Sequence, residues 1–251
     1  MKHLLIFLFI TIIQSKSYIK ADVSTQYSET GIPSYIKIRL IKVHGCMMIW
    51  AWFILILKGI FYMRYYKQFL KNKHLFGLEI WFQAHRILNG IAFVFITLAI
   101  ISTFTANNFK WLGVRINNTT SETPTIWHSF VGIIAYSFVI FQLISSFFRC
   151  APSKKNRFIF CCVHRTFGIL SFILALLNIC IAVKYFTDLF SSSNEAINVI
   201  YCYYAIILIC IITNEFQIRF QIRIGLISTL VFLIFSSFIV CIYLTIIIAN
   251  S

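Results

Sequence analysis

Six long apolar stretches, separated by short polar connections, dominate the pattern along the chain. They cover residues 41–63, 81–104, 125–148, 159–183, 196–213 and 225–248. Each is close to the roughly 20 residues that an α-helix needs to cross a bilayer. The pattern predicts an all-α membrane protein with six transmembrane helices, which form one transmembrane domain over residues 41–248.

The composition excludes a water-soluble fold. Of the 251 residues, 60% are hydrophobic and 12% are charged, about half the roughly 25% charged content of soluble domains. The net charge of +15 comes from Lys and Arg residues that are scattered over the short connections. A single basic stripe and a Gly-rich phosphate loop are both missing from the sequence, so we predict a lipid bilayer as partner and no nucleic acid.

The first 21 residues have the pattern of a secretory signal peptide. A basic start precedes the apolar run Leu4–Ile13, and the small residues Ser15 and Ser17 follow at the spacing of a cleavage site. The run is short for a membrane span, although an uncleaved anchor stays open. Residues 22–40 are then expected to form an extracytoplasmic segment. This places the protein in the secretory pathway, in the plasma membrane or an endosomal or vesicular membrane.

Positive charges predict the orientation of the helices. The connections after the first, third and fifth predicted helices hold ten Lys and Arg residues: Arg64, Lys67, Lys71, Lys73, Arg149, Lys154, Lys155, Arg157, Arg219 and Arg223. The opposite side holds six: Lys37, Arg39, Lys42, Lys110, Arg115 and Lys184. The richer side is predicted to be cytoplasmic. The loop with the overlapping Asn-x-Thr sites at Asn117 and Asn118 is then outside, which predicts glycosylation there.

Four histidines each lie near the start of a different predicted helix: His44, His85, His128 and His164. Because the helices cross in alternate directions, His44 and His128 are expected in the outer leaflet, and His85 and His164 in the inner leaflet. Two neutral imidazoles at one depth can fill both axial positions of a haem iron, which favours electron transfer over oxygen binding. The alternative is that each histidine is an interfacial or bundle-facing polar residue. Four histidines at matched depths favour two b haems, each bound by two histidines.

Short motifs surround these histidines. They are His44 with Trp52, Gly59 and Arg64-Tyr65; Trp81-Phe82-x-x-His85; His128-x-x-x-Gly132 with Gln142; and His164-Arg165-x-x-Gly168 with Asn178. Over about residues 41–185 the chain resembles the cytochrome b561 family, in particular its ferric-chelate-reductase-like branch, which is often fused to a DOMON domain. The resemblance implies a transmembrane oxidoreductase. Its electrons would pass from a cytoplasmic, ascorbate-like reductant to an extracytoplasmic ferric chelate or monodehydroascorbate.

Two features depart from the family's pattern. Vesicular members that use ascorbate carry lysines just before the cytoplasmic-side ligand, whereas Glu79 and Gln83 stand before His85 here. Only about twenty residues separate the predicted signal peptide from the first helix, so a DOMON domain is not expected. The outer haem would then face its acceptor directly.

Other residues near the histidines are candidates for binding the haems. Gly132 and Gly168 each follow a ligand by four residues, on the face where a larger side chain would meet the porphyrin. Ordinary close packing of helices is the alternative for both. Asn89, Gln142 and Asn178 are expected either to hydrogen-bond a ligand and tune the haem or to join neighbouring helices.

Three basic residues lie at the predicted cytoplasmic mouth. Arg64 is a candidate for binding haem propionates, and Arg64, Lys73 and Arg157 are candidates for attracting an anionic donor. The alternative is that they are topology charges only.

The rival function is a haem-free channel or transporter in which intramembrane histidines relay protons or bind a metal. Lys58 is the only charge well inside the first predicted helix, and we expect its side chain to snorkel to the cytoplasmic face. The last two helices carry no His and are expected to cover a four-helix haem-binding core. A homodimer is left open.

Overall fold

The structure is a computed structural model that describes residues 32–67, 70–113, 123–149 and 157–251. The predicted signal peptide, most of the predicted extracytoplasmic segment and both predicted glycosylation sites, Asn117 and Asn118, lie outside these residues.

The described residues form six helices that are long and apolar enough to cross a membrane. They are α1 (Ser34–Tyr66), α2 (Ile80–Ala106), α3 (Thr123–Phe147), α4 (Arg157–Tyr185), α5 (Ser193–Arg219) and α6 (Arg223–Ala249). The predicted all-α membrane fold is confirmed. The helices extend into the polar flanks of most apolar stretches because helical hydrogen bonding does not stop where apolarity stops. Thus α1 begins at Ser34, seven residues before the predicted boundary, directly after Pro33, whose ring disfavours a helical residue before it.

The helices divide into two compact units. The first unit contains α1, α2, α5 and α6, and the second contains α3 and α4. In the first unit α1 packs against α2 and α6, and α5 packs against α6. Each unit therefore contains two of the four helices that carry a candidate ligand.

A two-stranded hairpin connects α1 to α2. Strand β1 (His74–Leu75) pairs antiparallel with β2 (Leu78–Glu79). The two turn residues, Phe76 and Gly77, both have positive φ angles, 50° and 76°, as tight hairpin turns require. The hairpin leads directly into the first turn of α2 and therefore fixes the start of the helix that carries His85.

The last helix, α6, is anchored to α1 at the middle of α1 and at its end. The Trp50 Nε1–H donates to the Thr245 hydroxyl of α6 at 3.0 Å, and the Tyr66 hydroxyl donates to the carbonyl oxygen of Leu226 at 2.7 Å. Within the first unit, α6 thus runs along α1 over about five turns of helix.

Lys58 does not snorkel to the surface. Its side chain is 4% exposed, and its ammonium donates to the Phe53 carbonyl oxygen at 3.1 Å and to the Ser237 hydroxyl. The expectation was wrong because α6 supplies an oxygen inside the bundle, so the ammonium is hydrogen-bonded without reaching water.

Candidate functional site

In the first unit, each candidate ligand is held by the backbone of the other helix. The Nδ1–H of His44 on α1 donates to the carbonyl oxygen of Ala99 on α2 at 2.9 Å. The Nδ1–H of His85 on α2 donates to the carbonyl oxygen of Gly59 on α1 at 3.0 Å. Such a bond orients the ring and fixes the tautomer whose Nε2 carries the lone pair, the form in which histidine ligates a metal.

The two hydrogen bonds lie at two different depths of the α1–α2 pair. His44 precedes Gly59 by fifteen residues on α1, and His85 precedes Ala99 by fourteen on α2. At 1.5 Å per residue the fourteen-residue interval on α2 corresponds to about 21 Å. The first unit therefore separates His44 and His85 into two levels, as expected for ligands in opposite leaflets.

A glycine and an amide meet beside His85. The Asn89 side chain donates from Nδ2 to the His85 carbonyl oxygen at 2.6 Å, and Nδ2 lies 3.2 Å from His85 Nδ1. A Cβ atom added to Gly59 would collide with that same amide nitrogen. Asn89 thus contacts the candidate ligand His85 and lies against α1 at Gly59.

The same pairing recurs beside His164 in the second unit. Gln142 donates from Nε2 to the His164 carbonyl oxygen at 2.8 Å, and a Cβ at Gly168 would lie 3.8 Å from the Gln142 side chain. The Ser145 hydroxyl lies 3.4 Å from His164 Nδ1, and Phe160 stacks on the imidazole with ring centroids 5.4 Å apart. These contacts hold the His164 ring between its own helix and α3.

The third glycine–amide pair lies one turn from His128. A Cβ at Gly132 would lie 3.0 Å from Asn178 Nδ2. The Asn178 Oδ1 atom is buried and has no hydrogen-bond partner within the described part of the chain. A buried carbonyl oxygen of this kind is costly to leave unsatisfied, so the site suits a bound group or an ordered water.

The residues present fit a haem. Among the described residues, three of the four candidate histidines have an Nδ1 atom bound or close to an oxygen atom of a neighbouring helix. Three glycines lie beside amide side chains within one helical turn of a candidate histidine or of the carbonyl oxygen that binds it. Neutral imidazoles in an apolar bundle are the donor set of b-type haem.

Sequence reasoning missed the groups that hold the histidines. The carbonyl oxygens of Gly59 and Ala99 carry no side-chain signature, so residue types could not reveal them. Ser145 could have been found, because it follows Gln142 by three residues and so lies on the same face of α3.

The three basic candidates have different local surroundings. Arg64 forms a bidentate ion pair with Glu215 of α5, from Nε to Oε1 at 3.0 Å and from Nη2 to Oε2 at 2.9 Å, and both side chains are about half-exposed. Lys73 is exposed beside the hairpin in the first unit. Arg157 begins α4 in the second unit, where its guanidinium lies 5.4 Å from the centroid of the Phe160 ring.

Glu79, which stands where the resemblance would place a lysine, is also engaged. Its carboxylate accepts a hydrogen bond from Trp81 Nε1–H, and the ammonium of Lys67 lies 5.1 Å from the centroid of the Trp81 ring. Glu79 therefore contacts the first turn of α2 through Trp81.

Comparison with known proteins gives one family. The model of the eukaryotic cytochrome b561 family matches residues 43–188, which include all four histidines. A Danio rerio protein whose name describes a ferric-chelate reductase is 28% identical over 125 residues, 50% of this chain and 20% of that protein. Ferric-chelate reductase 1 of Bos taurus is 27% identical over 158 residues (60% and 24%), and that of Homo sapiens is 26% identical over 159 (63% and 25%).

The chain thus spans about a fifth to a quarter of the length of these curated relatives. No solved structure matched the chain.

Proposed function

Because this chain belongs to the eukaryotic cytochrome b561 family, we propose that it transfers single electrons across a membrane through two b haems, each held by two histidines. The donor is a cytoplasmic reductant of the ascorbate type, and the acceptor is an extracytoplasmic ferric chelate or monodehydroascorbate. The observation that carries the proposal is the pair of Nδ1 hydrogen bonds that hold His44 and His85 at two levels of the α1–α2 pair, about 21 Å apart along α2.

The proposed ligand pairs are the ones that the alternating helix crossings predict. His44 with His128 holds the outer haem, and His85 with His164 holds the inner haem. The bound haem supplies a one-electron Fe(III)/Fe(II) couple. Two histidine ligands per haem would leave no coordination position for oxygen, which favours electron transfer.

The amides and glycines keep the ligands in place. Asn89 and Gln142 each hold the carbonyl oxygen of a ligand histidine, which fixes the turn of helix that carries it. Gly132 and Gly168 let the Asn178 and Gln142 side chains approach one turn beyond His128 and His164. Asn178 offers a buried oxygen beside Gly132, one turn from His128.

The proposed setting is the secretory pathway, with the amino-terminal side of α1 outside the cytoplasm. The positive charges of the connections support this orientation. Glycosylation at Asn117 or Asn118, and residence in the plasma membrane or an endosomal or vesicular membrane, belong to the same proposal.

Haem content and vectorial reduction test the proposal together. Protein expressed with ample haem is purified, its haem is quantified from the dithionite-reduced minus oxidised spectrum, and it is reconstituted into vesicles with ascorbate inside and ferric citrate outside. We expect two haems per chain and iron reduction outside the vesicles. Protein without haem would overturn the proposal and favour the rival, a haem-free channel or transporter that uses its intramembrane histidines.

The ion pair between Arg64 and Glu215 gives a prediction about the donor. Removing the charge in Arg64→Gln is expected to raise the KM for ascorbate roughly tenfold, since a hydrogen bond to a charged group contributes about 1.5–3 kcal/mol. Glu215→Gln is expected to lower the KM, because it removes a negative charge and releases the guanidinium for the anionic donor.

Arg219→Gln is the matched control, because Arg219 is an exposed cation in the last turn of α5. Steady-state ascorbate oxidation is measured for all three variants, with haem content as a check. An equal rise in KM for Arg219→Gln, or a rise for Glu215→Gln, would show that Arg64 acts only as part of the general positive charge.

A further inference from the structure

The hairpin between α1 and α2 carries exposed apolar side chains at its tip. Phe76 is 86% exposed and Leu75 is 43% exposed. Phe76 also has a φ angle of 50°, which is rare for a bulky side chain. Neither residue belongs to the proposed ligand pairs. Apolar side chains of this size are costly to hydrate, so the tip suits apolar surroundings.

The hairpin is held against the start of α2 and does not project freely. Both of its strands contact α2. The Gln83 side chain, in the first turn of α2, donates from Nε2 to the carbonyl oxygen of Leu75 at 3.5 Å. The backbone N–H of Ile80 donates to the carbonyl oxygen of Lys73 at 2.8 Å. The tip therefore lies close to the point where α2 begins.

The start of α2 has the composition of a membrane interface. Trp81 stands in the first turn of α2, and tryptophan is enriched where a helix passes between headgroups and hydrocarbon. Arg86 follows about one turn later and is exposed, with its guanidinium 5.7 Å from the centroid of the Phe82 ring. A hairpin held against this part of α2 is therefore near the depth of the lipid headgroups.

The charges around the tip are almost all positive. From residue 64 to residue 86 the chain has five Lys and Arg residues and one acidic residue, Glu79. The Glu79 carboxylate accepts a hydrogen bond from Trp81 Nε1–H. Lys71 and Lys73, which lead into the first strand, are both exposed. The hairpin thus combines an apolar tip with a cationic base.

This combination fits a lipid leaflet better than it fits a small anion. An anionic electron donor would be attracted by the lysines, but it would leave the apolar tip in water. A leaflet that contains acidic phospholipids offers negative headgroups and hydrocarbon together, which is what basic segments with exposed aromatic residues bind.

We infer that the hairpin binds acidic phospholipid: Phe76 enters the interfacial layer of the leaflet, and Lys71 and Lys73 bind the headgroup. In the proposed orientation this is the cytoplasmic leaflet, which carries the acidic lipids of a cell membrane. The choice of leaflet rests on the proposed function, whereas the binding itself does not require haem. Each lysine close to such a surface favours binding about fivefold.

Quenching by brominated lipids tests the inference on the full chain. Phe76→Trp places a fluorophore at the tip, and the emission of the unaltered protein is subtracted. Both proteins are placed in phosphatidylcholine nanodiscs that contain a small, equal fraction of phosphatidylcholine or phosphatidylserine with brominated acyl chains. We expect both brominated lipids to quench the added tryptophan, and the phosphatidylserine to do so with at least about fivefold higher apparent affinity.

Two double variants of the Phe76→Trp protein separate headgroup binding from general charge. Lys71→Gln with Lys73→Gln is expected to abolish the preference for phosphatidylserine. Arg39→Gln with Lys110→Gln removes two charges at the opposite ends of α1 and α2 and is expected to keep it. The inference would be overturned by a tryptophan that neither lipid quenches, by equal affinity for the two lipids, or by equal loss of preference in both double variants. Protein that shows the preference but binds no haem would overturn the proposed function and still support lipid binding by the hairpin.

Discussion

His128→Ala is expected to lower the haem content from two to one per chain and to stop electron transfer across the membrane. In the proposed arrangement His128 and His44 hold the outer haem together, so loss of one ligand removes the only outer cofactor. The inner pair, His85 and His164, is unaffected. The remaining haem should therefore still be reduced by ascorbate from the cytoplasmic side, while reduction of external ferric citrate falls at least about a hundredfold, because no second haem bridges the roughly 21 Å between the two levels.

His74→Ala provides the matched control. His74 is exposed on the hairpin between α1 and α2 and takes no part in the proposed ligand pairs. It should retain two haems and full activity. Both haems are counted by the reduced minus oxidised spectrum, and transfer is followed in vesicles. If His128→Ala kept two haems and full transfer, the proposed pairing would be wrong.

Gly59→Val is expected to remove the inner haem while leaving the outer one. A Cβ at this position meets the Asn89 amide, and the Gly59 carbonyl oxygen holds His85 Nδ1. The added side chain therefore pushes α2 away from α1 at the point where the ligand is oriented. Overpacking of this kind costs about 1–3 kcal/mol, and the displaced imidazole loses its hydrogen bond in addition.

Gly90→Ala is the matched control for this change. Gly90 is next to Asn89 on α2, but a Cβ added there meets nothing within 4 Å in the described structure. Haem content and thermal stability should equal those of the wild type. The comparison is made by haem spectrum and by the midpoint of thermal unfolding in detergent. Equal haem loss in both variants would show that α2 tolerates no substitution in this turn, and that the Gly59–Asn89 contact has no special role.

The sequence predicted the candidate ligands and their depths but not what holds them. Alternating crossings place His44 and His85 at opposite ends of a helix pair from the order of the helices alone. The carbonyl oxygens of Gly59 and Ala99 could not be chosen in advance, because every residue has one. Only the register of α1 against α2 brings these two within 3.0 Å of an imidazole nitrogen.

The number of membrane helices was determined by the sequence itself, because the length of an apolar run is a local property that burial in lipid requires. The surroundings of Lys58 and Arg64 were decided only by the tertiary structure. Their partners, Ser237 and Glu215, are 179 and 151 positions away along the chain. A local pattern shows that a cation lies in or near the membrane, but it does not show whether the cation reaches water or a distant helix. Packing of α5 and α6 on α1 decides this, because it supplies the oxygens that a buried ammonium or guanidinium needs.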